Sequence, residues 1–182
     1  MSRTPISSER GRYLPAEDTY LLRDAVASCS GKACLEIGFG SGAVISSLSK
    51  RFELAVGTDI IGLEDARLAL APGLDLVLAD SARCFRDGSF DLVFFNPPYT
   101  VSGPPEDSAV DGGPTGVDIA VSFLEEGLRV LKRHGTMMVL LSDEGDQQSF
   151  VSRCRGMGLE VETVARKRLF YESLAVFRVR RP

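Results

Sequence analysis

The stretch Ala33-Cys34-Leu35-Glu36-Ile37-Gly38-Phe39-Gly40-Ser41-Gly42 decides how this chain is read. Residues 33–37 form a short apolar run with the length of a buried strand. Three glycines at alternate positions follow, and residues 43–50 then carry helical spacing. Alternating glycines let a backbone turn sharply and come close to a ligand. A strand, a glycine turn and a helix open a βαβ unit.

The alternation continues downstream. Residues 54–59, 74–79, 90–95 (FDLVFF) and 136–141 (TMMVLL) read as strands. Helical spacing occupies residues 17–29, 63–70, 118–131 and 147–157, with stops at Pro72-Gly73, at the turn Arg133-His134-Gly135 and at Gly158. Residues 160–166 and 173–179 close the chain as two strands in succession, so one of them is antiparallel to the rest. The expected fold class is α/β: a doubly wound, seven-stranded, mostly parallel sheet of Rossmann-like type. Residues 1–182 read as a single domain with a flexible arm at 1–12.

Composition narrows the function. The chain has 182 residues, 44% hydrophobic and 25% charged, as in ordinary soluble globules. A net charge of -4 argues against unaided binding to long nucleic acid. Charge is uneven, however: in residues 151–182 eight Lys and Arg stand against three Glu. Such a region is either a solvated rim or a docking surface for an acidic or RNA-bound partner. Cys29, Cys34, Cys84 and Cys154 are widely spaced, which suits neither a zinc site nor a disulfide framework, and no metal is expected. His134 is the sole histidine and reads as a surface or capping residue. No apolar run approaches the ~18 residues of a membrane span, so a soluble cytoplasmic protein with no membrane contact is expected.

In a doubly wound sheet, ligands lie beyond the C-terminal ends of the strands. Strand one ends in Glu36 and the glycines. The dinucleotide fingerprint has a longer second gap, and a carboxylate two residues before the first glycine repels a pyrophosphate. It attracts an ammonium, which S-adenosylmethionine carries beside its sulfonium. Glu36, Gly38 and Gly40 are therefore candidate methyl-donor residues. Asp59 ends strand two, 17 residues past Gly42, where a carboxylate can accept both ribose hydroxyls. Asp80-Ser81 ends strand three, where an acceptor can take the adenine amino hydrogens. Each acid alone would serve equally as a helix cap; three at successive strand ends point to one shared ligand.

Strand four runs into Asn96-Pro97-Pro98-Tyr99. The prolines stiffen the backbone and keep it out of a helix. The Asn96 side-chain oxygen and the Pro97 carbonyl can then accept both N–H bonds of a planar amide or amine, with Tyr99 as a wall. An amide nitrogen is a poor nucleophile, but fixing it in line with the methyl–sulfur bond is worth ~7–11 kcal/mol of barrier. Asn96, Pro97 and Tyr99 are the candidate catalytic residues. Pro98 joins them in the acceptor site, and Asn96 borders the donor as well. An amide nitrogen, an adenine N6 or a lysine would each be an acceptor for such a loop. No G-x-S-x-G elbow and no phosphate-binding loop is present.

The run Tyr13-Leu14-Pro15-Ala16-Glu17-Asp18-Thr19-Tyr20-Leu21-Leu22, the turn from Glu36 to Gly42 and the loop Asn96 to Tyr99 together resemble the HemK family. The likeness spans residues 13–179, and the compact form resembles the eukaryotic and archaeal branch. The resemblance implies a class I S-adenosylmethionine-dependent methyltransferase. Its product would be S-adenosylhomocysteine, and its acceptor the glutamine of the Gly-Gly-Gln motif in a class I translation release factor. It implies that Thr19 covers the methionine end of the donor, and that residues 109–116 (AVDGGPTG) match a glycine-rich segment of the family. It also implies a small zinc-binding activator protein as heterodimer partner. With the strand order 3-2-1-4-5-7-6, that partner would pair along strand three, whose one internal charge, Asp75, protects the edge poorly.

Overall fold

The computed structural model describes residues 15–60, 72–98, 118–143 and 145–182. The expected arm at 1–12, the helix at 63–70, Tyr99 and the glycine-rich segment at 109–116 lie outside the described residues. Four helices are described: α1 (Glu17–Val26), α2 (Ala43–Leu48), α3 (Asp118–Val130) and α4 (Gln147–Gly156). The strands are β1 (Gly31–Ile37), β2 (Phe52–Asp59), β3 (Leu74–Leu78), β4 (Phe90–Phe95), β5 (Leu131–Ser142), β6 (Glu160–Arg168) and β7 (Ser173–Arg180).

One seven-stranded sheet has the order β3-β2-β1-β4-β5-β7-β6. The first five strands in that order are parallel, and β7 is antiparallel to both β5 and β6. The doubly wound reading of the sequence is the observed architecture. Its physical basis is strict alternation along the central strands. Cys34, Leu92, Phe94, Met138, Leu140 and Val176 point to the face covered by Leu22 and Val26 of α1 and Ile45 and Leu48 of α2. Their neighbours Leu35, Val93, Phe95, Met137, Val139 and Ala175 point to the face covered by Leu124 of α3 and Phe150 of α4. With both faces dry, the strands read as continuous apolar runs, as parallel strands do.

Two connections differ from expectation. Residues 132–135 do not end a helix in a free turn. Instead α3 passes directly into β5, and the pairing of β4 with β5 jumps from Phe90–Leu131 to Leu92–Thr136. Two steps on β4 match five on β5, so Lys132, Arg133, His134 and Gly135 form a wide bulge. The bulge needs glycine: a Cβ at Gly135 would stand 2.6 Å from Leu131 Cδ1 and 3.1 Å from the Asp91 carbonyl oxygen. β6 and β7 also run slightly further than their alternation suggested, to Arg168 and Arg180.

Two side chains fasten this frame. Asp91 on β4 accepts from the Lys32 and Ala33 N–H groups of β1, each at 2.9 Å, and pairs with Lys132 Nζ at 2.8 Å. Arg129 on α3 donates to the Ala82 and Phe85 carbonyls and to Asp87 and Glu126, at 2.8–3.0 Å. It thereby fixes the connection from β3 to β4. All four cysteines are free thiols, and burial pushes Cys34 up to about 12 and Cys154 up to about 11.

Candidate active site

The C-terminal ends of β1, β2, β3 and β4 lie side by side at one edge of the sheet. The glycine turn after β1 takes left-handed backbone at Gly38, Gly40 and Gly42, with φ of +74, +49 and +74. Any side chain at Gly40 would be strained there, yet no atom of the described residues lies within 4 Å of where its Cβ would stand. The glycine is thus demanded by conformation, and among the described residues the space above it is open. The turn is tied to β2: the Gly38 and Phe39 N–H groups donate to the Thr58 carbonyl at 2.7 and 3.1 Å, and the Gly40 N–H to Asp59 Oδ2 at 2.9 Å. Asp59 therefore orders the turn as well as ending its strand.

Glu36 is only 4% exposed, and its Oε2 accepts from the Ile45 N–H at 2.9 Å. The sequence reading reserved this carboxylate for a ligand's ammonium; in the structure it also hooks the first turn of α2 beneath the glycines. Burial pushes its pKa well above the ordinary carboxylate range. The Ile45 N–H works against that rise and the Asp59 charge adds to it.

Asp80 and Ser81 follow β3, and the structure separates them. Asp80 is exposed and paired with Arg83 at 2.7 Å. Ser81 is buried, with a φ of +55, alone in the left-handed region among the described non-glycine residues. Its Oγ is enclosed and has no hydrogen-bond partner among the described residues. Leaving a buried hydroxyl unpaired costs about 1–3 kcal/mol, so such a group marks a place where a ligand completes the structure.

Asn96 and Pro97 follow β4, with Pro97 buried and Pro98 half-buried. Asn96 Nδ2 donates to Asp18 Oδ2 at 2.7 Å. A carboxylate only accepts, so the amide NH2 must face Asp18 and Oδ1 must point away from it. That Oδ1 is buried and, like the Ser81 hydroxyl, lacks a partner among the described residues. Asp18 is 3% exposed and accepts from the Thr19 N–H at 2.6 Å. Thr19 Oγ1 in turn accepts from the Ala16 N–H at 3.3 Å. The first turn of α1 thus sits against the end of β4, bringing Thr19 to the same edge as the glycine turn.

Asp18 is the residue that sequence reasoning missed. In the sequence it stands only within the family-like run from Tyr13 to Leu22, 78 positions from its partner. The available signal was that two motifs, one on the first helix and one after β4, both had to converge on one strand edge. Tyr99 lies outside the described residues. Among the described residues no cluster of His, Cys, Asp and Glu could hold a metal ion.

No protein-family model matches the chain. A Methanocaldococcus jannaschii protein named as an N5-glutamine methyltransferase is 32% identical, over 90% of this chain and 89% of its own length. The chain belongs to the HemK family. A second HemK-family relative, the methyltransferase HEMK2 of Mus musculus, is 30% identical over 96% of this chain and 95% of its own. Among solved structures, a chain of the E. cuniculi Mtq2–Trm112 complex, which methylates the eRF1 translation termination factor, superposes with a TM-score of 0.78 at 25% identity, covering 94% of this chain and 99% of that one. The HemK-family fold is thus shared along nearly the whole chain, and this chain is a methyltransferase.

Proposed function

We propose that this chain methylates the side-chain amide nitrogen of the Gly-Gly-Gln glutamine in a class I translation release factor, with S-adenosylmethionine as donor. The reading is carried by one observation: Asn96 Oδ1 is buried, without a described partner, and held in that orientation by Asp18. Such an oxygen accepts an N–H, which suits an acceptor amide. Support comes from the name of the archaeal relative and from the Mtq2–Trm112 complex acting on a termination factor.

S-adenosylmethionine supplies a methyl group on a positive sulfur, and transfer leaves S-adenosylhomocysteine, the methylated amide and one proton. The chain's own residues bind and orient. Asn96 Oδ1 and the Pro97 carbonyl accept the two amide N–H bonds, and Pro98 shapes the slot around the amide plane. Thr19, Glu36, Gly38 and Gly40 hold the methionine end of the donor, Asp59 the ribose, and Asp80 with Ser81 the adenine. Two features of these residues fit a donor of this kind: the open space over Gly40 and the unpaired Ser81 hydroxyl. No helix among the described residues is long and apolar enough to cross a membrane, and the proposed acceptor places the reaction in the cytoplasm.

The partner reading belongs with this one. β3 is an edge strand, and its Leu78 is 61% exposed. An edge with apolar side chains and unpaired backbone groups is a template for another chain. A small zinc-binding activator is the proposed occupant, and Trm112 in the related complex supports it.

The test is transfer of labelled methyl from S-adenosylmethionine to a purified class I release factor, with and without the activator. A factor whose Gly-Gly-Gln glutamine is replaced serves as control. Label on the intact factor that vanishes in the control establishes the acceptor. No label under either condition, with donor binding demonstrated, sends the search to lysine or adenine acceptors.

A further inference from the structure

Phe170 and Tyr171 form the tip of the β6–β7 hairpin. They are 90% and 72% exposed, yet their rings pack edge to face with centroids 4.7 Å apart. Two aromatic rings that contact each other and little else are costly to leave in water. The tip is not a loose loop. The Leu169 N–H donates to the Glu172 carbonyl at 2.8 Å, and Ser142 Oγ donates to Glu172 Oε2 at 2.6 Å. The Ser173 N–H donates to Asp143 Oδ1 at 2.7 Å. The aromatic pair is therefore preorganised.

Its position follows from the register. Phe95 pairs with Val139, and β5 continues to Ser142, which pairs with Leu174 at the base of the tip. The tip therefore projects beyond the sheet edge that carries Asn96, by roughly 10 Å at ~3.3 Å per residue. It lies two to three strands to the side, or about 10–14 Å. Lys167 near the tip pairs with Glu17, the residue before Asp18, which links the hairpin to the helix that orients Asn96. On the opposite face of β6, Arg166 and Arg168 are exposed. An apolar, rigid pair next to two guanidinium groups complements a protein surface whose apolar patch is rimmed by acids.

We propose that the β6–β7 tip, through Phe170 and Tyr171 with Arg166 and Arg168 beside them, docks the acceptor protein at a surface away from its methylated glutamine. The inference rests on the release-factor reading above. A glutamine side chain offers the loop at Asn96 a small contact, and an aromatic anchor at the same edge supplies affinity for the whole protein.

The experiment compares the unaltered chain, with its activator if activity requires it, with F170A/Y171A and with R166E/R168E. Each is assayed on the intact release factor and on a short peptide carrying its Gly-Gly-Gln sequence. For the intact factor, F170A/Y171A is expected to raise KM roughly tenfold or more, with kcat kept. For the peptide, KM and kcat are expected to stay put. R166E/R168E is expected to raise KM for the intact factor and flatten its salt dependence. Equal losses on factor and peptide, or no loss on either, overturn the docking role. So does a wild-type dimer that the double variant turns into a monomer in sedimentation, since a second copy then covers the tip. Absence of transfer by the unaltered chain overturns the acceptor reading, and the docking proposal with it.

Discussion

Asn96 owes its orientation to the residue behind it. An asparagine amide can present either its oxygen or its nitrogen, and Asp18 decides which. Replacing Asn96 with alanine should lower kcat by roughly a hundredfold or more, with donor affinity by calorimetry little changed. Asp18→Asn is a subtler change, because an amide there no longer forbids the flipped orientation of Asn96. It should cost about one to two orders of magnitude in kcat while leaving the melting temperature near that of the parent. A Glu36→Gln change separates binding from burial. Glu36 has a folded-state pKa raised above its unfolded one, so its contribution to stability is full below the ordinary carboxylate range and is lost as pH rises toward the folded value. The ligand-free glutamine variant should therefore melt progressively higher than the parent as pH is raised from 4 to 8 in scanning calorimetry. A difference that shrinks with rising pH would contradict that sign. At this scale Asn96, Asp59 and the glycines were legible because each sits at the end of an apolar strand. Asp18 was not, because only folding brings it to Asn96. The separation of Asp80 from Ser81 was also out of reach, since it depends on a left-handed backbone at a single serine.

At the level of elements, the site depends on connections more than on strands. Arg129 reaches from α3 to hold the Ala82 and Phe85 carbonyls in the β3–β4 connection, the first of them next to Ser81. Arg129→Met keeps the aliphatic stem and removes those bonds. It should cost about 2 kcal/mol of stability by urea unfolding, the usual scale for hydrogen bonds from a charged group. It should also raise the KM for the methyl donor more than it changes kcat, because Ser81 loses its support. A KM that does not move would sever that link. The strands themselves were readable from their apolar runs, which the dry faces of a parallel sheet require. The start of β5 was not. Arg133-His134-Gly135 has the composition of a turn, and in the structure it is a bulge opposite Asp91, whose carboxylate takes Lys132 as its partner. Local composition cannot tell a chain that leaves the sheet from one that only bows out of it.

For the whole molecule, the order of strands leaves β3 and β6 at the two edges. They differ in protection: β6 carries Arg166, Lys167 and Arg168, whereas the exposed Leu78 marks β3. Leu78→Lys should therefore make the isolated chain more resistant to aggregation, seen by light scattering on heating. It should also abolish any rise in melting temperature on adding the zinc-binding activator. A variant still stabilised by the activator would place that contact elsewhere. The class of architecture was legible because alternation of strands and helices admits few topologies. The convergence of α1 on the closing hairpin was not written in any local pattern.

That convergence has a consequence in time. α1 precedes every strand of the sheet in the chain, yet besides α2 it packs on β5, β6 and β7, and Glu17 meets Lys167 across 150 positions. The glycine turn and its β2 tether can form once the first third of the chain has left the ribosome. The helix that turns Asn96 can pack on α2 and β5 before then, but its contacts with β6 and β7, and the Glu17–Lys167 pair, wait for the closing hairpin. A nascent chain stalled before that hairpin should thus possess most of its donor pocket while the helix that orients Asn96 is only partly clasped, so that a firm grip on the acceptor follows the donor site as this protein is made.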